Sequence, residues 1–520
     1  MSIGVTISKK LILTNSISSI ISRIISVLLV LWLQRFLISR VPTDEYAIYP
    51  VFMSGMMFML LLRTILSSGL VRYLSDAKAR HDSERISSIV STLFVFSVII
   101  ALFSLIGGIF LSINITNIFT IAPDYSFDAF IIAIVLFISF SLQVLFSPFE
   151  VGLHVEQKFI LLNIIEIVLV ILRIIILLVL LFGISTRVIW VAVANELANI
   201  TGLVLRFFLS RHVMPELKFN IKRFNRNIAK ELLSFGGWSF IGQAAYRIRT
   251  HADPIILNKL GTSFDVTCFY LGNMVLHHLT AFIMRVTQTI LPSLTAMNAM
   301  GQRERLGKVF VRYNRIILWG FMLVATPVLF YRKEVVTLYV GERFSVVAIV
   351  LMLLLLSDAS ARTYSLLHNL AVAKGQVKFL AITGFIFQFT NIILTIILVG
   401  KYKMGAVGSA LSTAIITIVF QSIILIPYSL WLAEVSFLNW FQNSVLLGFL
   451  PASITLISLS ILKIFFSSPA NWVTLLIHLV ISVFIYLFAL FFLSLTNEDK
   501  MDVDMVLKRI LTLSSKRSIK

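Results

Sequence analysis

The chain has a single cysteine, Cys268, among 520 residues, so an intrachain disulfide and a cysteine metal cluster are both excluded. Charge is scarce as well. Asp, Glu, Lys and Arg make up 13% of the residues, against about 25% in an average soluble protein. Acid is the scarcer sign, with 24 Asp and Glu against 44 Lys and Arg and a formal net charge of +20. No P-loop, Gly-rich phosphate loop or His/Asp/Glu metal-ligand spacing occurs, so ATP-driven transport by this chain alone, a metal site and a bound cofactor are not expected. The N-terminus, MSIGVTISKKLILTNSISSIISRIISVLLVLWLQRF, lacks the small-residue cleavage site of a signal peptide and has too long an apolar stretch for one.

What the chain has in abundance is apolar residues, 58% of the total, with a mean hydropathy of +0.97. They fall in runs of about 18 or more, the length that crosses roughly 30 Å of hydrocarbon. A β-barrel would show alternating segments of about ten residues instead. The expected fold class is therefore an all-α polytopic membrane protein of about fourteen transmembrane helices. The spans lie near 13–37, 46–69, 87–112, 126–147, 159–182, 188–209, 232–256, 266–291, 310–331, 344–365, 379–399, 405–430, 442–462 and 472–494. Segments on the side of the N-terminus hold about 27 of the 44 Lys and Arg, including Arg72, Lys78, Arg80, Arg85, Lys218, Lys222, Arg223, Arg226 and Lys230. The opposite side holds about nine, so the positive-inside rule places both termini in the cytoplasm. With the charge assigned to loops in this way, no nucleic-acid partner is called for. The tail, NEDKMDVDMVLKRILTLSSKRSIK, reads equally as a basic interfacial helix at Met501–Leu511 or as a frayed end.

The chain repeats itself at an offset of 220 residues. Glu84-Arg85-Ile86 aligns with Glu304-Arg305-Leu306, Lys158-Phe159 with Lys378-Phe379, and Thr43-Asp44-Glu45-Tyr46 loosely with Ser263-Phe264-Asp265-Val266. Each match falls at the same point of a six-helix unit. An even number of helices returns the chain to its starting side, so the expected architecture is two six-helix lobes about a pseudo-two-fold axis along the membrane normal. The expected divisions are an N-lobe at 1–210, a cytoplasmic basic amphipathic linker at 211–231, and a C-lobe at 232–431. Two extra helices at 432–495 and a basic cytoplasmic tail at 496–520 complete the chain. The cargo path is expected between the lobes.

Five arginines lie inside the apolar runs: Arg23, Arg63, Arg247, Arg249 and Arg285. Each costs about 2.5–3.5 kcal/mol at the bilayer centre, so each must face a partner or a water-filled cavity. They fall on helices one, two, seven and eight, corresponding helices of the two halves. Such a cluster suits a phosphate or carboxylate, because the planar guanidinium fork binds either one bidentately. Internal pairing is the competing reading. Asp253 follows Arg249 by four residues and Asp358 precedes Arg362 by four, the second pair being read as structural. Glu166 and Arg173, seven apart, read equally as a pair or as separate groups, and Arg35 reads as snorkelling to the interface. Arg23, Arg63 and Arg285 have no acid within a turn, and the cavity reading is preferred for them. His277 and His278 point about 100° apart on a helix, which suits a structural role better than a proton relay. Pro254, Pro327 and Pro427 fall within spans and are expected to kink them.

Two stretches carry a resemblance. RFLISRVPTDEYAIYPVFMSG, followed by SSGLVRYLSDAKARHDSERISSIVST, resembles the opening of Wzx-type polysaccharide flippases of the multidrug/oligosaccharidyl-lipid/polysaccharide exporter superfamily. FNRNIAKELLSFGGWSFIGQAAYRIRTHADPIILNKLGTSFDVTCFYLGN resembles the middle signature of that superfamily. The resemblance covers almost the whole chain, helices one to twelve most clearly, and identifies the superfamily better than the cargo. It implies a V-shaped pair of six-helix lobes, alternating access and a central cationic cavity in the bacterial cytoplasmic (inner) membrane. The cavity arginines of related lipid II flippases come from helices one, two, seven and eight, which carries over to Arg23, Arg63, Arg247 or Arg249, and Arg285. The implied cargo is a polyprenyl-diphosphate-linked oligosaccharide for O-antigen, lipopolysaccharide or capsule synthesis. The implied partners are membrane lipids and the polysaccharide polymerase and chain-length machinery. A cation-coupled multidrug exporter of the same fold is the alternative. It is disfavoured because helices one to four hold no acid in their apolar interiors. A polymerase or ligase enzyme is further away, since no external loop exceeds about fifteen residues, whereas those enzymes carry one large catalytic loop.

Overall fold

In the computed structural model, the described residues are 27, 30–67, 70–288 and 290–501, with some side chains inside helices two, seven and eight not described. Arg23, most of the first span and the tail from 502 onward lie outside them. The described residues are helical, with no strand. In chain order the long helices are α1 (30–40), α2 (Thr43–Ser67), α3 (Ser83–Ile113), α4 (Ser126–Phe146), α5 (Phe159–Gly183), α6 (Ile189–Val213), α7 (Arg226–Leu260) and α8 (Ser263–Gln288). They continue as α9 (Arg303–Phe330), α10 (Val346–Ala361), α11 (Val377–Ile396), α12 (Gly405–Phe420), α13 (Leu447–Phe465) and α14 (Trp472–Ala489). Eleven described helices are long and apolar enough to cross a membrane. The other three expected spans are α1, mostly outside the described residues, and α7 and α8. The last two have the length, at 35 and 26 residues, and include side chains that are not described.

α3 illustrates how these sequences form helices in lipid. Asp82 caps its N-terminus by accepting from the Arg85 N–H at 2.8 Å, and Glu84 sits in the first turn, where the helix dipole favours an acid. Its exposed face is Ile99, Phe103, Ile106, Phe110 and Ile113; its buried face is Ser91, Ser97, Ser104, Gly108 and Ser112. This is a soluble helix turned inside out. Lipid takes the large apolar residues, and small ones let helices approach. α4 packs on this face, and a Cβ on Gly108 would lie 2.3 Å from the Phe137 ring.

The 220-residue period has a local counterpart. α2 and α8 begin at 43 and 263, α3 and α9 at 83 and 303, and α4 and α10 at 126 and 346. The turn before α3 recurs before α9. His81 and Gly301 both take a left-handed φ, of 56° and 68°. The Asp82 N–H donates to Ala77 O at 2.9 Å, and the Gln302 N–H donates to Met297 O at 3.0 Å. This is the six-to-one bond that closes a helix before a left-handed residue. Glycine adopts that conformation freely at 301; His81 does so against its own preference.

The chain divides into two compact units, 1–270 with 392–406, and 271–391 with 407–520. The first unit therefore holds α7, which packs along α2. The linker expected at 211–231 is only partly helical, and α7 already begins at Arg226. The segment before it lies on the start of α3. Ser87 Oγ donates to Lys218 O at 3.1 Å, the Asn220 N–H to Ser91 Oγ at 2.9 Å and the Asn225 N–H to Thr92 Oγ1 at 3.1 Å.

In the second unit α13 and α14 pack on α9. Trp319 Nε1 donates to Leu447 O at 2.9 Å and the Tyr486 hydroxyl to Trp319 O at 3.0 Å, over a core of Phe310, Leu318 and Phe321. Pro254 and Pro327 lie inside continuous helices, and Pro427 follows a π-helical stretch, Gln421–Leu425, that lengthens α12. A π turn takes up the hydrogen bond that proline cannot make.

Candidate functional site

Of the five arginines singled out in the sequence, Arg63 and Arg247 have described side chains. Arg23 lies outside the described residues. Arg249 and Arg285 lie on α7 and α8, with side chains outside the description. Arg247 reaches from α7 to the neighbouring α2, with Nη1 2.8 Å from Met57 Sδ.

Arg63, one turn from the end of α2, has acquired an acid from elsewhere in the chain. It forms an ion pair with Glu150, in the turn after α4, and donates from Nη1 to Gln143 Oε1 on α4 at 3.2 Å. Glu150 is shared. Arg206, near the end of α6, donates from Nε to the other Glu150 oxygen at 3.2 Å and from Nη1 to Glu166 on α5 at 3.1 Å. The end of α2, the turn after α4, the start of α5 and the end of α6 meet at one end of the unit because the chain alternates in direction.

A second branch runs deeper. Gln143 Nε2 donates to Ser139 Oγ at 3.2 Å, and Ser139 donates to the buried carboxylate of Glu196 on α6. Asn199 Nδ2 also donates to Glu196, at 3.0 Å, and accepts from Arg173 Nη2 at 3.4 Å. Three arginines and three glutamates from three helices and one turn, joined through Gln143 and Ser139 of a fourth helix, thus form a polar seam in the first unit. Sequence spacing had offered Glu166 to Arg173. Instead Glu166 pairs with Arg206 and Arg173 bonds Asn199. Neither Glu150 nor Arg206 was singled out in the sequence. Glu150 falls in a loop, and Arg206 falls in the last turn of a span, where snorkelling is the ordinary fate of an arginine.

Beyond the seam, Lys78 bonds Glu216 at 2.9 Å and Glu156 at 3.3 Å, tying three connecting segments together. Its hydrogen bond holds the Glu216 carboxyl below the usual range, and the same bond holds the Lys78 ammonium above its own. At the other end of the unit the Val188 N–H donates to Glu45 at 2.6 Å and Arg187 pairs with Asp128 at 3.0 Å.

The second unit handles its arginines differently. Asp358 and Arg362 form the i,i+4 pair read from the sequence, with Thr280 donating to Asp358 at 3.3 Å. Arg312 and Arg315 on α9 both bond Asp499, just beyond α14, at 2.8 and 2.6 Å. The Thr496 N–H and hydroxyl also donate to Asp499, at 3.1 and 2.7 Å. Burial raises the Asp499 carboxyl, but these donors and the Arg315 charge outweigh it and hold the group below its usual range. His277 is exposed and His278 half-buried, their rings edge to face. Asp253 accepts from Thr395 Oγ1 at 3.4 Å.

A chain of two compact units, helical throughout its described residues, with eleven described helices long and apolar enough to cross a membrane, is a multi-pass membrane protein. Residues 8–298, more than half of the chain, match the family described as polysaccharide biosynthesis protein, and the chain belongs to that family. It is 22% identical over 506 residues to EpsK of Bacillus subtilis (strain 168), described as an uncharacterized membrane protein, covering 95% of this chain and 97% of that one. Its fold is that of a lipid II flippase, MurJ, in an inward closed conformation, with a TM-score of 0.69 at 19% identity, covering 92% of this chain and 97% of that one. An inward-facing multidrug resistance MATE family transporter of the MOP superfamily aligns with a TM-score of 0.64 at 14% identity, covering 77% of this chain and 93% of that one.

Proposed function

We propose that the chain is a flippase that carries polyprenyl-diphosphate-linked oligosaccharides from the cytoplasmic to the outer leaflet of a bacterial cytoplasmic membrane, for surface polysaccharide synthesis. Membership of the polysaccharide biosynthesis family supports the substrate class, and the likeness in fold to a lipid II flippase supports the transport mode. The observation that carries the reading is Arg63. Its side chain stays partly exposed near the end of α2, and α7 packs along that helix and presents Arg247 to it. In this reading the diphosphate meets Arg63 and Arg247, joined by Arg23, Arg249 and Arg285 as the sequence led us to expect. Two duplicated six-helix lobes rock about the cargo, and both termini stay in the cytoplasm. The lipid tail remains in the bilayer, and the finished unit passes to a polymerase. No chemical step is required of the chain.

A second reading, a cation-coupled multidrug exporter, is favoured by one observation, the buried carboxylate of Glu196 in the first unit. The test is Arg63→Ala and Arg63→Lys in cells that depend on this chain for surface polysaccharide. Because Arg63→Ala leaves Glu150 with Arg206 alone, it is paired with Arg63→Ala/Glu150→Gln. Both Ala variants should lose surface polysaccharide at normal protein level, and Lys should retain part of it. Normal export from the double variant would remove Arg63 from the cargo site. Loss of drug resistance with polysaccharide intact would move the exporter reading to the front.

A further inference from the structure

Glu150 is held where it is by its backbone. Ser210 Oγ donates to Glu150 O at 2.8 Å, and the Leu153 N–H donates back to Ser210 Oγ at 3.3 Å. Gly152 permits this approach, since a Cβ there would lie 2.8 Å from Ser210 O. The Glu150 side chain so placed is 9% exposed, while the side chains of the two arginines it bridges, Arg63 and Arg206, are 29% and 22% exposed. The acid is the more buried partner. Among the described residues each carboxylate oxygen accepts from one guanidinium, Oε1 from Arg63 and Oε2 from Arg206. Arg63, Arg206, Glu150 and Glu166 sum to no formal charge.

A quartet without net charge does not attract an anion at a distance. It takes one by exchange, when the incoming oxyanion replaces the resident carboxylate on the same N–H edges. Exchange keeps an anionic partner on both guanidiniums, and its cost falls on the displaced Glu150 carboxylate, which offsets part of the cargo's binding. A phosphate offers the same bidentate acceptor geometry as a carboxylate, with more oxygens. We infer that Arg63 and Arg206 form a single anion-binding pair, and that Glu150 is the built-in carboxylate that occupies it until the phosphate of the cargo displaces it. This rests on the flippase reading above and adds two residues to it. Arg206 becomes a cargo-contacting residue, and Glu150 a specificity residue that weakens binding enough for release. A transport site that bound its cargo without such a competitor would let go of it slowly.

The test uses the purified full-length protein in lipid nanodiscs, with inorganic pyrophosphate as the probe and calorimetry as the readout. Removing one negative charge a few ångströms from the bound anion should tighten pyrophosphate binding about tenfold in Glu150→Gln, or about 1.4 kcal/mol. Glu150→Asp should bind like the parent. Arg206→Met and Arg63→Ala should each weaken binding about tenfold, and Glu150→Gln should give no gain in the Arg206→Met background. If Glu150→Gln does not fold, Arg206→Met carries the test against Arg206→Lys, which keeps the charge and should bind more tightly than Met. Parent-like affinity in Glu150→Gln or in Arg206→Met, with Arg63→Ala still weakened, overturns the pair while leaving the flippase reading intact. Affinity unchanged in all variants, Arg63→Ala included, overturns both the pair and the assignment of Arg63 to the diphosphate.

Discussion

Among the described residues one carboxylate is held between two arginines at two places, and the two sites differ in what surrounds the acid. Asp499 takes four donors, from Arg312, Arg315 and two groups of Thr496. Arg315 is itself only 5% exposed, and its guanidinium lies over the Trp319 ring and donates to Asn443 O at 3.0 Å. Among the described residues Glu150 takes two donors, from arginine side chains that are both more exposed than that of Arg315. The first arrangement surrounds its acid with donors and anchors the segment after α14 to α9. The second leaves its acid with fewer partners. Charge alone does not separate a structural clamp from a binding site; the number of donors on the acid and the exposure of the cations do.

The comparison can be broken most sharply at the Asp499 site. Asp499→Asn leaves the buried Arg315 without its counter-charge, a loss of about 3–5 kcal/mol for a broken buried pair. The melting temperature in detergent should fall steeply, and transport should track the remaining folded protein. Glu150→Gln should lower the melting temperature less, because the side chains of both its arginines are more exposed than that of Arg315. Equal losses at the two sites would erase the distinction. Next in size, Arg312→Ala should leave export per folded molecule unchanged, whereas Arg63→Ala should abolish it; measuring surface polysaccharide against protein level separates the two.

The smallest effect concerns pH and the Lys78–Glu216 tie. Glu216 titrates below the ordinary glutamate value of about 4.3, so its contribution is complete above that value and is lost as pH falls through the depressed one. Lys78 titrates above about 10.4, so its contribution is complete below that value and is lost as pH rises through the raised one. Cleavage in residues 214–225 by an acid-active protease should therefore stay flat down to about pH 4 and rise below it. A rise already near pH 6 would contradict the assignment.

Much of the fold was legible because membrane helices announce themselves locally. A run of apolar residues marks a span, and eleven such runs are spanning-length helices. The period at 220 was legible for the same reason, since Glu84-Arg85 and Glu304-Arg305 open helices that share a turn. Asp358–Arg362 was legible because i,i+4 spacing on a helix is itself a contact. Arg63 was found but its partner was not. Glu150 lies 87 residues away, in a turn, and only the packing of α2, α4 and α6 brings them together. Glu166 was left open between pairing with Arg173 and standing apart, because spacing along one helix says nothing about Arg206, 40 residues on and across a helix interface. The scarcity of acid in helices one to four was real, but the acids that neutralise Arg63 and Arg206 come from a turn and from α5.

The most direct measurement of the central claim is where lipid-linked oligosaccharides sit in cells that lack this chain, read with a probe confined to the outer leaflet. The flippase account predicts completed units trapped in the inner leaflet, loss of surface polysaccharide, and rescue by the parent chain but not by Arg63→Ala/Glu150→Gln. Completed units that reach the outer leaflet without this chain would contradict it.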